Sequence, residues 1–216
     1  MRKAILGLVM TLFVSSSALA QGNGSKMYAV TITNITSGQT FTPLLVATHK
    51  SSVSLFELGT PASTELATIA ESGNIGPMAE LLDGMHGKVY ATANSEGLLG
   101  PGESVTVEIA SRRGFDRVSV VGMLIPTNDT FVALDSAHLS RSQRQHVVPA
   151  YDAGSEDNDE LCANIPGPVC MGAALSDENG EGFVHISGGI NGIGDLEPAS
   201  YDWKNPVAQI SVRQAH

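Results

Sequence analysis

Little in this chain is positively charged: 12 lysines and arginines stand against 22 aspartates and glutamates in 216 residues, a formal net charge of −10 at pH 7. A surface with that balance does not draw in phosphate backbones or anionic lipid, which argues against nucleic acid as a partner. Cysteine is just as scarce, with Cys162 and Cys170 alone and no C-x-x-C pair, so the zinc-site pattern is missing. Also absent are the G-x-S-x-G elbow, H-E-x-x-H, the P-loop and G-x-G-x-x-G, and with them the sequence grounds for an enzyme. Beyond the first twenty residues no segment approaches the ~20 continuous apolar residues that span a bilayer, so a soluble mature chain without a transmembrane segment is expected.

What is present begins with an export signal. Arg2 and Lys3 form a basic n-region, residues 5–14 an apolar stretch and Ala18-Leu19-Ala20 a small-residue cleavage site. The apolar run is short for a membrane anchor. The expected organisation is a signal peptide at 1–20, a polar lead-in at 21–27 and one domain at 28–214, secreted to a periplasmic or extracellular space. In an exported chain Cys162 and Cys170, eight residues apart with Pro166-Gly167-Pro168 between them to reverse the chain, read as a disulfide. Closing so short a loop contributes about 2–3 kcal/mol in the chain-entropy model. A pair of metal thiolates is the competing reading, weakened because His185 is distant in sequence.

The body of the chain reads as strands. Tyr28, Val30 and Ile32 alternate with polar or small residues. Residues 41–48 are extended, with Pro43 favouring an edge or a strand start. Further strands are expected at 89–93, 105–109, 118–125, 131–134, 183–187 and 207–212, separated by Gly- and Pro-containing turns. One connection has helical spacing instead. Ser63 or Thr64 caps Leu66, Ile69 and Ala70, and Pro77 opens a second short helix with Met78, Leu81 and Leu82 inward before Gly84. Many short strands with long loops and no βαβ alternation predict an all-β fold, an antiparallel β-sandwich with one or two short helices in a connection. Residues 155–182 form a long acidic loop tied by the cysteine pair.

Several segments resemble the spondin domain family. The opening YAVTITNITSGQTFTPLLVATHK with LFELGTPASTELATIAESG is similar to its first strands and helix. VSVVGMLIPTNDTFVALDS is similar to its P-x-x-D stretch, YDAGSE to its W-D-A-G-T-acid motif, and YDWKNPVAQISVRQ to its closing strand. The resemblance runs over residues 28–213 in order and is that of a bacterial-type single-domain member. It implies a secreted sandwich akin to calcium-dependent phospholipid-binding modules, with Ca²⁺ at one end held by Asp129, Asp152 and Glu156. Here Glu156 stands for Asp, Ser155 for Thr, Tyr151 for Trp and Thr130 for Trp. The family's matrix roles do not transfer directly to a single domain; the chain is expected to be a monomer meeting a protein or glycan at the cell surface or matrix, without catalysis.

Physical reasoning on the same residues runs parallel. Gly154 lets the backbone curl so that Asp152 and Glu156 face one point, and Asp129 sits in a turn-prone loop. Carboxylates ~5 Å apart repel by about 3 kcal/mol per pair at an effective dielectric near 20; a hard cation reverses that sign. A solvated acidic loop holding no ion is the alternative.

Other features carry less. Asp177-Glu-Asn179-Gly-Glu181-Gly182 imitates half an EF-hand loop but has Gly188 where the closing Glu belongs, so a turn is expected. The glycine-rich run 188–194 follows a strand with no helix after it, a wide turn and not a phosphate cradle. His49 reads as a structural hydrogen-bonder. Arg112-Arg113 and the run from Arg141 to Arg144 are the basic clusters; an acidic glycan is one reading of them, and surface charge on an acidic protein is the favoured one.

Overall fold

The computed structural model describes residues 24–175 and 180–215; the expected signal peptide and the start of the lead-in lie outside them. Period-two patterning builds β1 (Ser25–Asn34), with Tyr28, Val30 and Ile32 buried. Its other face is polar, where Thr31 and Thr33 meet the hydroxyls of Thr106 and Ser104 at 2.7 Å. The strand begins within the segment read as lead-in, because residues 25–27 pair with 110–112 of the neighbouring strand.

Two antiparallel sheets form the sandwich. The first has four strands, in the order β5 (Ser104–Arg112), β1, β11 (Ala208–Gln214) and β8 (Arg144–Val148). The second, seven-stranded, runs β10 (His185–Ile186), β9 (Ala150–Asp152), β7 (Thr130–His138), β6 (Arg117–Ile125), β3 (Leu45–His49) and β4 (Val89–Asn94), with β2 (Thr40–Phe41) pairing to β6. Val30, Ile32, Val46, Val120, Leu124, Val132 and Ile210 fill the space between the sheets. Each such side chain contributes about 1.5–3 kcal/mol by leaving water.

A second core lies on the far side of the larger sheet, which explains why β6 is buried on both faces. Between β3 and β4 come α1 (Thr64–Ser72) and α2 (Gly76–Gly84), whose Leu66, Ile69, Met78 and Leu82 cover Leu45, Val121, Phe131 and Ala133. Ser63 caps α1, its Oγ accepting from Leu66 N–H at 3.2 Å. Leu81 departs from expectation: it is exposed, the inward stripe of α2 being Met78 and Leu82 one turn apart.

The strands fall largely where periodicity predicts. Pro43 splits the expected second strand into β2 and β3, and the strand expected at 183–187 shrinks to His185–Ile186. β8, β9 and the single turn α3 (Pro198–Tyr201) are additions. The glycine-rich run is a turn as expected, and it is filled from within. Backbone N–H groups of Asn191, Gly192 and Ile193 donate to the Glu160 carboxylate at 2.5, 2.7 and 2.9 Å. Cys162 and Cys170 are disulfide-bonded.

Candidate metal centre

At one end of the sandwich, the loop between β6 and β7 meets the loop after β9. Register brings them together: Thr130 of β7 lies opposite Asp152 of β9, and Asp152 lies opposite His185 of β10. Tyr151 anchors this corner from the helix side, its ring 4.8 Å from Phe56 and 5.5 Å from Phe131 between centroids. Successive residues of a strand face opposite ways, so anchoring Tyr151 aims Asp152 toward the other side.

Asp129 is wholly buried. Its Oδ2 accepts the backbone N–H groups of Ser155 at 2.7 Å and Glu156 at 3.1 Å, with the Ser155 hydroxyl at 3.3 Å. Its Oδ1 is buried and has no hydrogen-bond partner among the described residues. Asp152, also buried, accepts from Gly154 N–H at 2.8 Å through Oδ1 and from the Asn158 amide at 2.9 Å through Oδ2. That same amide reaches Glu181 at 3.1 Å. Gly154 makes the curl possible: its φ is +63°, and a Cβ there would collide with the Phe183 backbone.

Ligand atoms of Asp152, Glu181 and His185 all lie within 4.8 Å of one another. His185 Nδ1 sits 3.0 Å from the Ile186 carbonyl, so Nδ1 carries its hydrogen and donates. Nε2 then faces Asp152 at 3.5 Å and Glu181 at 3.7 Å, as in histidines that ligate metals. Burial and the nearby Asp152 charge push the Asp129 carboxyl up to about 7, against the pull of the Glu156 and Ser155 amides. Asp152 is raised chiefly by burial, which its hydrogen bonds and His185 oppose. Burial works against a charged His185 ring, yet the Ile186 carbonyl and the two acids outweigh it and raise the pKa.

Of the three acids proposed from the sequence, Asp129 and Asp152 are both buried at this end and the Asp152 charge acts on Asp129, but only Asp152 converges with Glu181 and His185. Glu156 is buried in the same loop, where its amide holds Asp129. Glu181 and His185 were not chosen from the sequence. Their even spacing on an extended segment, which puts them on one face, was the available signal. Asp177 of the EF-hand imitation lies outside the described residues, and Glu181 joins this centre. Arg112, Arg113, Arg141 and Arg144 are all at the far end from it.

An antiparallel sandwich with an acid-lined end is thereby defined. The family model Spondin_N matches residues 25–159, and the chain belongs to that family. A search of curated proteins finds no match. The family is one of non-catalytic modules and points to an extracellular setting, with which the disulfide agrees. Among the described residues no helix is long and apolar enough to cross a membrane. Asp129, Asp152 and Glu156 fall within the matched span; Glu181 and His185 lie past it.

Proposed function

We propose that this is a secreted calcium-binding module of surface or matrix recognition, exported by a leader at 1–20, with a folded domain at 28–214 and an ion that is structural. One observation carries the reading: two aspartates are buried at the same end, the charge of Asp152 acting on Asp129, and Asp129 presents a buried oxygen with no hydrogen-bond partner among the described residues. Uncompensated, such a pair is costly to bury. A cation between the loops removes the cost, and the oxygens of Asp129, Asp152 and Glu181, with Glu156 beside them, suit Ca²⁺. Any ion here would lock the β6–β7 loop to the loop after β9.

The bare Nε2 of His185 favours a second reading, a borderline ion such as Zn²⁺ on two carboxylates and an imidazole. Thermal melts in calcium, zinc and chelator decide between them. At about a hundred times Kd the right ion adds about 2.7 kcal/mol, some 5–10 °C for a chain this size. Calcium is expected to give that rise and Asp152→Asn to abolish it; a rise in zinc alone selects the second reading. Identical melting in all three conditions leaves a metal-free module with a solvated acidic loop.

A further inference from the structure

The end of the sandwich away from the acids is basic, and the segregation is almost complete. Apart from Arg2, Lys3 and Lys204, every lysine and arginine in the chain lies at or near it. β6 runs from Arg117 at this end to the acid-bearing loop at the other, a separation of roughly 27 Å at ~3.3 Å per residue. The register gathers the rest. Ser25 pairs with Arg112, Ala29 with Arg213 and Val212 with Arg144, so the neighbouring strands β5, β1, β11 and β8 each bring a cation to the same end of one sheet. Lys50 and Lys88 join from the other sheet, linked through Lys50 N–H and the Lys88 carbonyl at 2.8 Å.

These charges surround a built concavity. A cleft of about 470 Å³ is lined by Lys26, Tyr28, Arg112, Arg113, the Gly114 backbone and one acid, Asp116. Arg112 does not wave in solvent. Its guanidinium is held 5.1 Å from the Tyr90 ring centroid and 5.0 Å from that of Phe115, while Lys50 Nζ lies 5.3 Å from the Phe115 ring. A guanidinium fixed on two rings is a pre-oriented fork for a carboxylate or sulfate. Arg141 stands outside the cleft lining but near enough that its charge opposes the rise that burial gives the Tyr28 hydroxyl pKa. The acids nearby are already committed. Asp116 lies 3.3 Å from His138 and 3.8 Å from Arg117, and Asp135 accepts from Ser119, Ser54 and the Leu55 amide. Lys26 and Arg113 are exposed and, among the described residues, take part in no ion pair.

We propose that this basic end binds an acidic polysaccharide, one strand of which lies across the ends of β5, β1, β11 and β8 with its acid groups on Arg112, Arg113 and Lys26. A narrow cationic end on an acidic body selects such a chain. A duplex or a bilayer would extend beyond the basic residues and meet the negative flanks, whereas a single glycan chain spans only the row of strand ends. The site is independent of the acidic end and needs no cation there.

The test measures affinity of the mature chain for immobilised heparin and polygalacturonate in the presence of chelator, with duplex DNA and phosphatidylserine vesicles alongside. Saturable binding to at least one polysaccharide is expected, falling steeply between about 50 and 200 mM salt. The double variant Lys26→Glu, Arg113→Glu should weaken it about tenfold or more, as should Arg141→Glu from a separate loop, each with unchanged melting temperature. Lys204→Glu at the other end should leave it intact. Failure to bind either polysaccharide, charge reversals without effect, or tighter binding of DNA or vesicles overturns the proposal.

Discussion

The two ends of this sandwich handle charge in opposite ways. At one, Asp129 and Asp152 are withdrawn from water, held by backbone amides and placed beside each other. At the other, Lys26 and Arg113 stand in solvent. A buried like-charge pair must take up a proton or a counter-charge, whereas exposed cations exchange partners freely with little desolvation cost. Glycines show the same contrast. Gly154 at the acidic end has φ +63° with the Phe183 backbone against it, while Gly114 at the basic end has φ +89° and nothing within 4 Å of where a Cβ would sit. One end is closely packed; the other is an open rim.

A pH sweep in chelator should break this comparison most strongly. Asp129 has a folded pKa of about 7, above its ordinary 3.8, so the native state keeps a proton that the unfolded chain releases. Stability should therefore decline as pH rises from about 4 to 7, by on the order of 4 kcal/mol at most. Calcium, by requiring the ionised carboxylate, should flatten that decline, and so should Asp129→Asn. A flat profile in chelator would mean that the two aspartates do not share a low-dielectric site. Next in size, Gly154→Ala should cost about 3 kcal/mol, from backbone strain and the clash together. Gly114→Ala should cost only about 1 kcal/mol, from its left-handed backbone alone. Chemical denaturation of the pair checks this, and equal losses would erase the distinction between packed and open ends. Smallest of all, Arg113→Ala should change stability by less than about 0.5 kcal/mol.

Much of the framework was legible because it rests on local pattern. Alternation in β1, the double-sided apolar run of β6 and the Ser63 cap with its Leu66–Ile69 stripe each report on themselves. β9 was not legible, since three residues carry no period, and β8 is a polar edge strand whose Arg144 and Gln145 hide it. Asp129 and Asp152 emerged from a resemblance supported by chemistry. Glu181 and His185 did not, because their approach to Asp152 depends on β9 pairing with β10 across more than thirty residues, a long-range fact that no window contains. The basic end was legible only in part, through the Arg112-Arg113 and Arg141–Arg144 clusters. Lys26, Arg112, Arg144 and Arg213 are scattered along the chain and become one surface only through antiparallel pairing.

Glu160 gives the acidic end a mechanical property. Its carboxylate is bolted to the amides of residues 191–193, and its own N–H is tied to the Asn128 side chain at 3.2 Å, one residue from Asp129. Tension applied to the 188–194 turn therefore travels through one residue to the buried aspartate, and slack in that tether would loosen the grip of the β6–β7 loop. A molecule seizing this turn from outside would have a lever on the interior.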